Sequence, residues 1–378
     1  MTQKLSRGSG SRRPVDTSKV LFPVDAVQGQ RFATRVRGQC PLFVCVIAST
    51  DTALEPGISA AGASLELIPY TPAADAEVVA YGQARCIAGV PSNPSGPPGP
   101  ALITRAALTL ARIPHLIVDA GCHVLPDVQT RVMGCRPGGM IADGGAVPAA
   151  GELFAAGQAL GRSLARDHPY LVVGESVPGG TTTALALLLA LGYRAEGRVS
   201  SSLAGNPHAL KNRVARRALA HLSEDADPLA AVATLGDPMQ PVVAGLAAGA
   251  LEQGTPVLLA GGTQMVAVVA LLKRLGVLTT TAPASLAVAT TRWVVEDPSA
   301  DIVGLLQEVA PIPLLATALS FADARQPGLR AYEDYLVKEG VGAGGAATAA
   351  YLGADIEPEH VRAEVERLYD AMLTSTSD

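Results

Sequence analysis

Aromatic residues make up only 4% of the 378-residue chain, with one Trp, so few rings are present on which nucleic-acid bases could stack. The formal net charge of −5 gives no general attraction to nucleic acid or anionic lipid. Cys40, Cys45, Cys86, Cys122 and Cys135 form no C-x-x-C pair, and the six histidines do not cluster with them, which excludes a zinc framework. Their odd number and scatter predict reduced thiols, mostly small core residues. No apolar run reaches membrane-spanning length uninterrupted; residues 256–272 are broken by Gly261, Gly262, Thr263 and Gln264. Residues 1–13 are basic and Ser/Gly-rich without an apolar centre, so residues 1–20 are expected to be a disordered arm rather than a signal peptide. Asp237, Asp297, Asp301 and Asp323 lack coordination spacing, and neither a metal nor a cofactor is expected. These absences leave a soluble, cytoplasmic protein acting on small molecules, with no nucleic-acid or membrane partner.

What is present is apolar and small. Hydrophobic residues reach 48%, and the length suffices for one large domain or two moderate ones. Apolar runs of strand length at 42–47, 65–69, 115–119, 170–173, 257–260, 286–289 and 314–319 alternate with helical stretches. The helices are expected at 101–112, 149–166, 182–191, 206–221, 238–252, 264–274 and 358–373. Asp237-Pro238 reads as a helix start, and Gly254 and Gly276 as helix stops. The pattern predicts an α/β fold: a doubly wound, mostly parallel sheet flanked by helices, with a smaller helical subdomain from the chain ends. The core is expected over 21–330, a helical part completing the site over 331–373, and a tail over 374–378. Ligands of such sheets lie beyond the carboxyl ends of the strands, which places the 174–183 loop, Gly261 to Thr263 and the segment after Leu319 at one rim.

The most informative stretch is Gly174-Glu175-Ser176-Val-Pro-Gly179-Gly180-Thr181-Thr182-Thr183, between a strand and a helix. A glycine-rich turn there presents N–H groups at the positive end of a helix, a cradle for phosphate. The spacing imitates the phosphate loop of nucleotide hydrolases, but Gly180 stands where that motif requires Lys. Nothing then reaches the outer phosphates of a triphosphate, and a ligand with one phosphate fits better. Two readings remain open: a ligand site, or glycines that only permit close packing.

Glu339 lies in a second glycine-rich loop, Lys338-Glu339-Gly340-Val-Gly342-Ala-Gly-Gly345, where flanking glycines let backbone approach a ligand. An acid so framed is a candidate general base, against the bland reading of a solvated surface group. Lys211 opens a basic helix with Arg213, Arg216 and Arg217, either a wet face or the source of a cation for the phosphate. Gly261-Gly262-Thr263 repeats the strand–glycine–helix logic and can add N–H donors.

In the same order, these motifs resemble those of the nicotinate-nucleotide:dimethylbenzimidazole phosphoribosyltransferases, in a divergent branch found in archaea and some bacteria. That family's Gly-Glu-Met-Gly-Ile-Gly-Asn-Thr-Thr is similar to Gly174 through Thr182, and its Gly-Arg-Gly-Thr to Gly197-Arg-Val-Ser200 followed by Lys211. Its Glu-Pro-Gly-His-Arg resembles Gln326-Pro-Gly-Leu-Arg330, and its Gly-Glu-Gly-Thr-Gly-Ala resembles Lys338 through Ala343. The chain departs from the family with Gly180 for Asn, Gly261 for Asp, Gln326 for Glu and Leu329 for His. The resemblance implies phosphoribosyl transfer from nicotinate mononucleotide to 5,6-dimethylbenzimidazole or a similar base, giving α-ribazole 5′-phosphate. It implies Glu339 as base, Glu175 at the ribose, the 174–182 loop with Lys211, Gly261, Gly262 and Thr263 at the phosphate, Gly340 and Gly342 framing the base, and a homodimer. A non-catalytic nucleotide sensor and a phosphate-loop kinase or hydrolase remain as alternatives.

Overall fold

The computed structural model describes residues 15–94, 96–134, 136–203, 205–278 and 284–375. The first third of the chain runs β1 (Val20–Val24), α1 (Ala26–Val36), β2 (Leu42–Ala48), α2 (Thr71–Tyr81), α3 (Ala101–Ala111), β3 (His115–Gly121) and β4 (Thr130–Val132). The middle runs α4 (Ala150–Leu164), β5 (Leu171–Ser176), α5 (Gly180–Ala190), α6 (His208–Leu219), α7 (Pro228–Leu235), α8 (Met239–Glu252), β6 (Val257–Ala260) and α9 (Thr263–Arg274). Then come β7 (Leu286–Thr291), α10 (Arg292–Val295), α11 (Ile302–Val309), β8 (Leu314–Thr317), α12 (Pro327–Arg330), α13 (Ala343–Ala354) and α14 (Pro358–Ser375).

The strands form one sheet in the order β1-β8-β7-β6-β5-β2-β3-β4. Every neighbouring pair is parallel except the edge pair β1–β8. From β2 the chain winds outward through β3 and β4, and from β5 it winds the other way. The switch lies between β2 and β5, where a crevice must open at the strands' carboxyl ends. Alternate residues of one strand feed opposite faces: Val44 and Val46 enter one core, Phe43, Cys45 and Ile47 the other. The first core is closed by α4, α5, α7, α8, α9 and α11. The second is closed by α1, α3, α13 and α14, so the helices from the two chain ends share their core with α3 and the sheet. Helices α4 and α8 touch backbone to backbone: a Cβ on Gly161 would stand 2.2 Å from the Leu246 carbonyl oxygen, and one on Gly249 2.1 Å from that of Gln158.

Several expectations need correction. Residues 65–69 are not a strand but part of a 3₁₀ turn, Leu65–Tyr70, in which Leu67 N–H bonds to Ser64 O. Pro69 can give no N–H to a sheet ladder and instead leads into α2. Helix α2 escapes periodicity because it is buried from Pro72 to Val79, with no polar face to mark it. The arm ends sooner than expected: Val15 and Val20 are buried, and β1 begins at Val20. Residues 1–14, Cys135 and 376–378 lie outside the described residues, whereas Thr374 and Ser375 continue α14 instead of forming a tail. Of the described cysteines only Cys45 is buried; Cys40 is exposed and Cys86 and Cys122 are half-buried. Helix α8 starts one residue later than expected, with Pro238 at the N-cap position, although Asp237 Oδ1 still accepts Met239 N–H at 3.0 Å.

Candidate functional site

Strands β5 and β7 run further than their apolar stretches suggest, and the extra residues build the site. Strand β5 continues through Gly174, Glu175 and Ser176, so these are strand rather than loop residues. Helix α5 starts at Gly180, capped by Gly179 in the left-handed conformation at φ 76°. A Cβ at Gly179 would meet Ala53 Cα at 2.9 Å, so this turn admits only glycine. Strand β7 continues through Thr290 and Thr291, which reach the segment carrying Glu339.

A cleft of about 210 Å³ opens at the switch point. Glu175, Ser176, Gly179, Gly180, Thr181, Gly262, Thr263, Glu339 and Gly340 all line it. The strand-to-helix turn and the candidate base therefore face one space. The N-termini of α5 and α9 converge there, with the Ser200–Ser202 loop between them, where Ser200 N–H donates to Thr263 Oγ1 at 3.1 Å. Within the α5 turn, the N–H groups of Gly180 and Thr182 are already spent on the carbonyls of Val177 and Gly179.

Gly174, Thr182, Lys211, Gly261 and Gly342 stand behind the wall rather than on it. Gly174 and Gly342 touch backbone to backbone: a Cβ on either would lie 2.9 Å from the other's Cα. Thr182 is fully buried in the helix's inner face. Gly261 N–H completes a bond to Ala289 O. Lys211 is the buried member of α6 while Arg213, Arg216 and Arg217 are exposed, so that helix is both a wet face and a source of one inward cation. Its Nζ donates to Thr181 Oγ1 at 2.6 Å and to Ser200 O at 2.8 Å. Burial, and then the charge of Lys338, lower its pKa to about 7.

Glu339 is held by four donors. Oε2 accepts Thr290 Oγ1 at 3.0 Å and Thr291 N–H at 2.9 Å, while Oε1 accepts Gly340 N–H at 3.1 Å and Gly344 N–H at 3.2 Å. Burial nonetheless outweighs these bonds and raises the carboxyl to about 7. The loop that carries it is strained: Val337 and Val341 have φ of 56° and 55°, a region costly for β-branched residues. Val337 N–H binds Ser202 O and Val341 N–H binds Glu175 O, which hold the loop in place. Between them Lys338 is wholly buried against Asp297, 2.7 Å away. Glu175 is pushed well above the usual carboxylate range by burial, then by Asp237 and Glu339.

The segment after Leu319 does not reach the cleft, contrary to expectation. Phe321 stacks on Trp293 and edges onto Tyr332 in the second core. Gln326 is bonded to Asp370 and the Glu366 carbonyl, so this motif serves packing against α14. Sequence reasoning missed Asp75, Asn93, Ser201 and Lys338, all on the cleft wall, where Gln264 of the Gly261–Thr263 motif also stands. The only local signal was the lysine beside Glu339; the rest depend on strand order.

A family model described as phosphoribosyltransferase (DBI_PRT) matches residues 110–284. The UPF0284 protein of Methanocaldococcus jannaschii is 42% identical over 348 residues, covering 91% of this chain and 97% of the relative. That of Gloeobacter violaceus is 44% identical over 370 residues, covering 95% and 96%. The nicotinate-nucleotide-dimethylbenzimidazole phosphoribosyltransferase of Thermus thermophilus superposes with a TM-score of 0.54 at 20% identity, over 87% of this chain and 86% of that one. The chain therefore belongs to the UPF0284 family and is built on the fold of the nicotinate-nucleotide:dimethylbenzimidazole phosphoribosyltransferases.

Proposed function

We propose that the chain transfers the phosphoribosyl group of nicotinate mononucleotide to 5,6-dimethylbenzimidazole or a similar aromatic base, giving α-ribazole 5′-phosphate and nicotinate. The observation that carries this reading is the single cleft shared by Glu339 and the 176–181 turn. Had they opened onto separate spaces, the reaction would have no place to occur.

The 5′-phosphate sits between the N-termini of α5 and α9, with Lys211 charging Thr181 from behind. A ring nitrogen of the acceptor attacks the anomeric carbon from the α face. The glycosidic bond breaks with its electron pair going to nicotinate, whose ring nitrogen was cationic in the nucleotide, and the configuration inverts. The acceptor's other nitrogen loses its proton to Glu339, which is poised for this by a pKa near 7. Glu175, held neutral by burial, donates to a ribose hydroxyl. The Glu339 carboxylate favours the positive charge that spreads over the ribose in the transition state. In this reading the protein acts in the cytoplasm, and it is a homodimer, as the resemblance implies.

The test is incubation with nicotinate mononucleotide and a panel of benzimidazoles, followed by chromatography. Nicotinate release coupled to an α-ribazole phosphate supports the proposal. Tight nucleotide binding without product would instead mark a sensor.

A further inference from the structure

The cleft holds a carboxyl that the proton transfer does not use. Asp75, on α2, is 5% exposed and lines the cleft. Ser176 Oγ donates to its Oδ2 at 2.6 Å, and among the described residues no second donor reaches it. Its Oδ1 lies toward Gly99, where a Cβ would stand 3.8 Å away. The next residue, Pro100, packs on Gly340, where a Cβ would meet its Cγ at 2.9 Å. Gly99, Pro100 and Gly340 thus link Asp75 to Glu339 along the cleft wall. The lining on the Asp75 side is mixed: Ala60, Leu67, Ala74, Ile87 and Val90 are apolar, while Thr71, Ser92 and Asn93 add polar groups.

A buried carboxyl with one donor is costly unless a ligand completes its hydrogen bonds. We propose that Asp75 reads the far edge of the acceptor: the base that presents its nitrogen to Glu339 carries a hydrogen-bond donor, an amino or hydroxyl group, on the opposite edge. The inference rests on the phosphoribosyl-transfer reading of the cleft and names the acceptor class within it. A methyl group at that edge would cover the carboxyl oxygen without bonding it. An amino group of the same size would satisfy it. Burial raises the Asp75 carboxyl to about 7.

The isosteric pair 5-aminobenzimidazole and 5-methylbenzimidazole separates the cases. Each is assayed with nicotinate mononucleotide for kcat/KM, and each is titrated onto the protein alone by ultraviolet difference spectroscopy. Wild-type protein should prefer the amino base by about tenfold or more, and Asp75→Leu should bring the ratio near one or invert it. Asp75→Asn keeps the volume and the Ser176 bond, and serves if circular dichroism shows the Leu variant misfolded; its preference should fall below wild type. Equal kcat/KM for the two bases in wild type, or a ratio that neither variant changes, overturns the proposal while transfer stands. Should neither base react, transfer is lost, and the binding titration decides: the same preference supports the Asp75 role, and equal or absent binding overturns it.

Discussion

Gly344, in the first turn of α13, donates its backbone N–H to both oxygens of Glu339, at 3.2 and 3.3 Å. A helix N-terminus so placed orients the carboxylate and favours its charged form. The contact requires glycine, because a Cβ at 344 would fall 1.9 Å from the Thr290 carbonyl carbon. Gly344→Ala should force α13 off β7, cost about 1–3 kcal/mol or more in urea unfolding, and lower kcat with it. Wild-type stability and turnover in that variant would show that the helix is not what holds Glu339.

Glu339→Gln removes the proton acceptor with little change of shape. Turnover should fall about 10²–10⁴-fold while calorimetric binding of nicotinate mononucleotide stays near normal. A base must be ionised to act, and burial raises this carboxyl to about 7. In the wild type, kcat should therefore rise with pH through about 7 and be lost below it. A kcat flat from pH 5 to 9 would remove Glu339 from the rate-limiting step.

Lys211 acts through Thr181 and shows its charge only while protonated. With its pKa lowered to about 7, the cation is present below that pH and lost above it. Donor affinity should weaken as pH rises through 7, and Lys211→Met should weaken it about tenfold at pH 6 and change it little at pH 9. Isothermal titration at the two pH values checks this. The same loss at both would assign Lys211 to packing alone.

Lys338 and Asp297 form a buried pair whose side chains are 1% and 0% exposed. Asp297 also takes Asn206 Nδ2 at 3.1 Å, so the pair joins the Glu339 loop to the 200–206 loop. Lys338→Met strands a buried carboxylate and should cost about 3–5 kcal/mol, most of which Lys338→Met/Asp297→Asn should restore. Denaturant unfolding of Lys338→Met, Asp297→Asn and the double variant forms the cycle. Additive losses would mean that the two groups do not stabilise each other.

How far local pattern reaches is clear from individual elements. The runs at 170–173, 257–260 and 286–289 mark their strands correctly because buried parallel strands are continuously apolar. Those at 170–173 and 286–289 end early, since the residues that follow are polar: Glu175 and Ser176 on β5 line the ligand cleft, and the buried Thr290 and Thr291 on β7 hold Glu339 from behind. Helix α2, with Asp75 at its centre, left no trace because burial on every side erases helical periodicity. The motif at 326–330 pointed to the site and was found against α14, its Gln326 bonded to Asp370.

Composition and apolar spacing by themselves determined the layered α/β class, the glycine turns at 179 and 342, and Glu339 as the acid to watch. Those are local properties, written in neighbouring residues. Only the tertiary structure decided that Asp75, Glu175, Lys338 and Glu339 share one cleft, with Lys211 just behind it, and that burial shifts their proton affinities. The order of strands in the sheet brings residues 75, 176, 200 and 339 together, and desolvation arises only once they are enclosed.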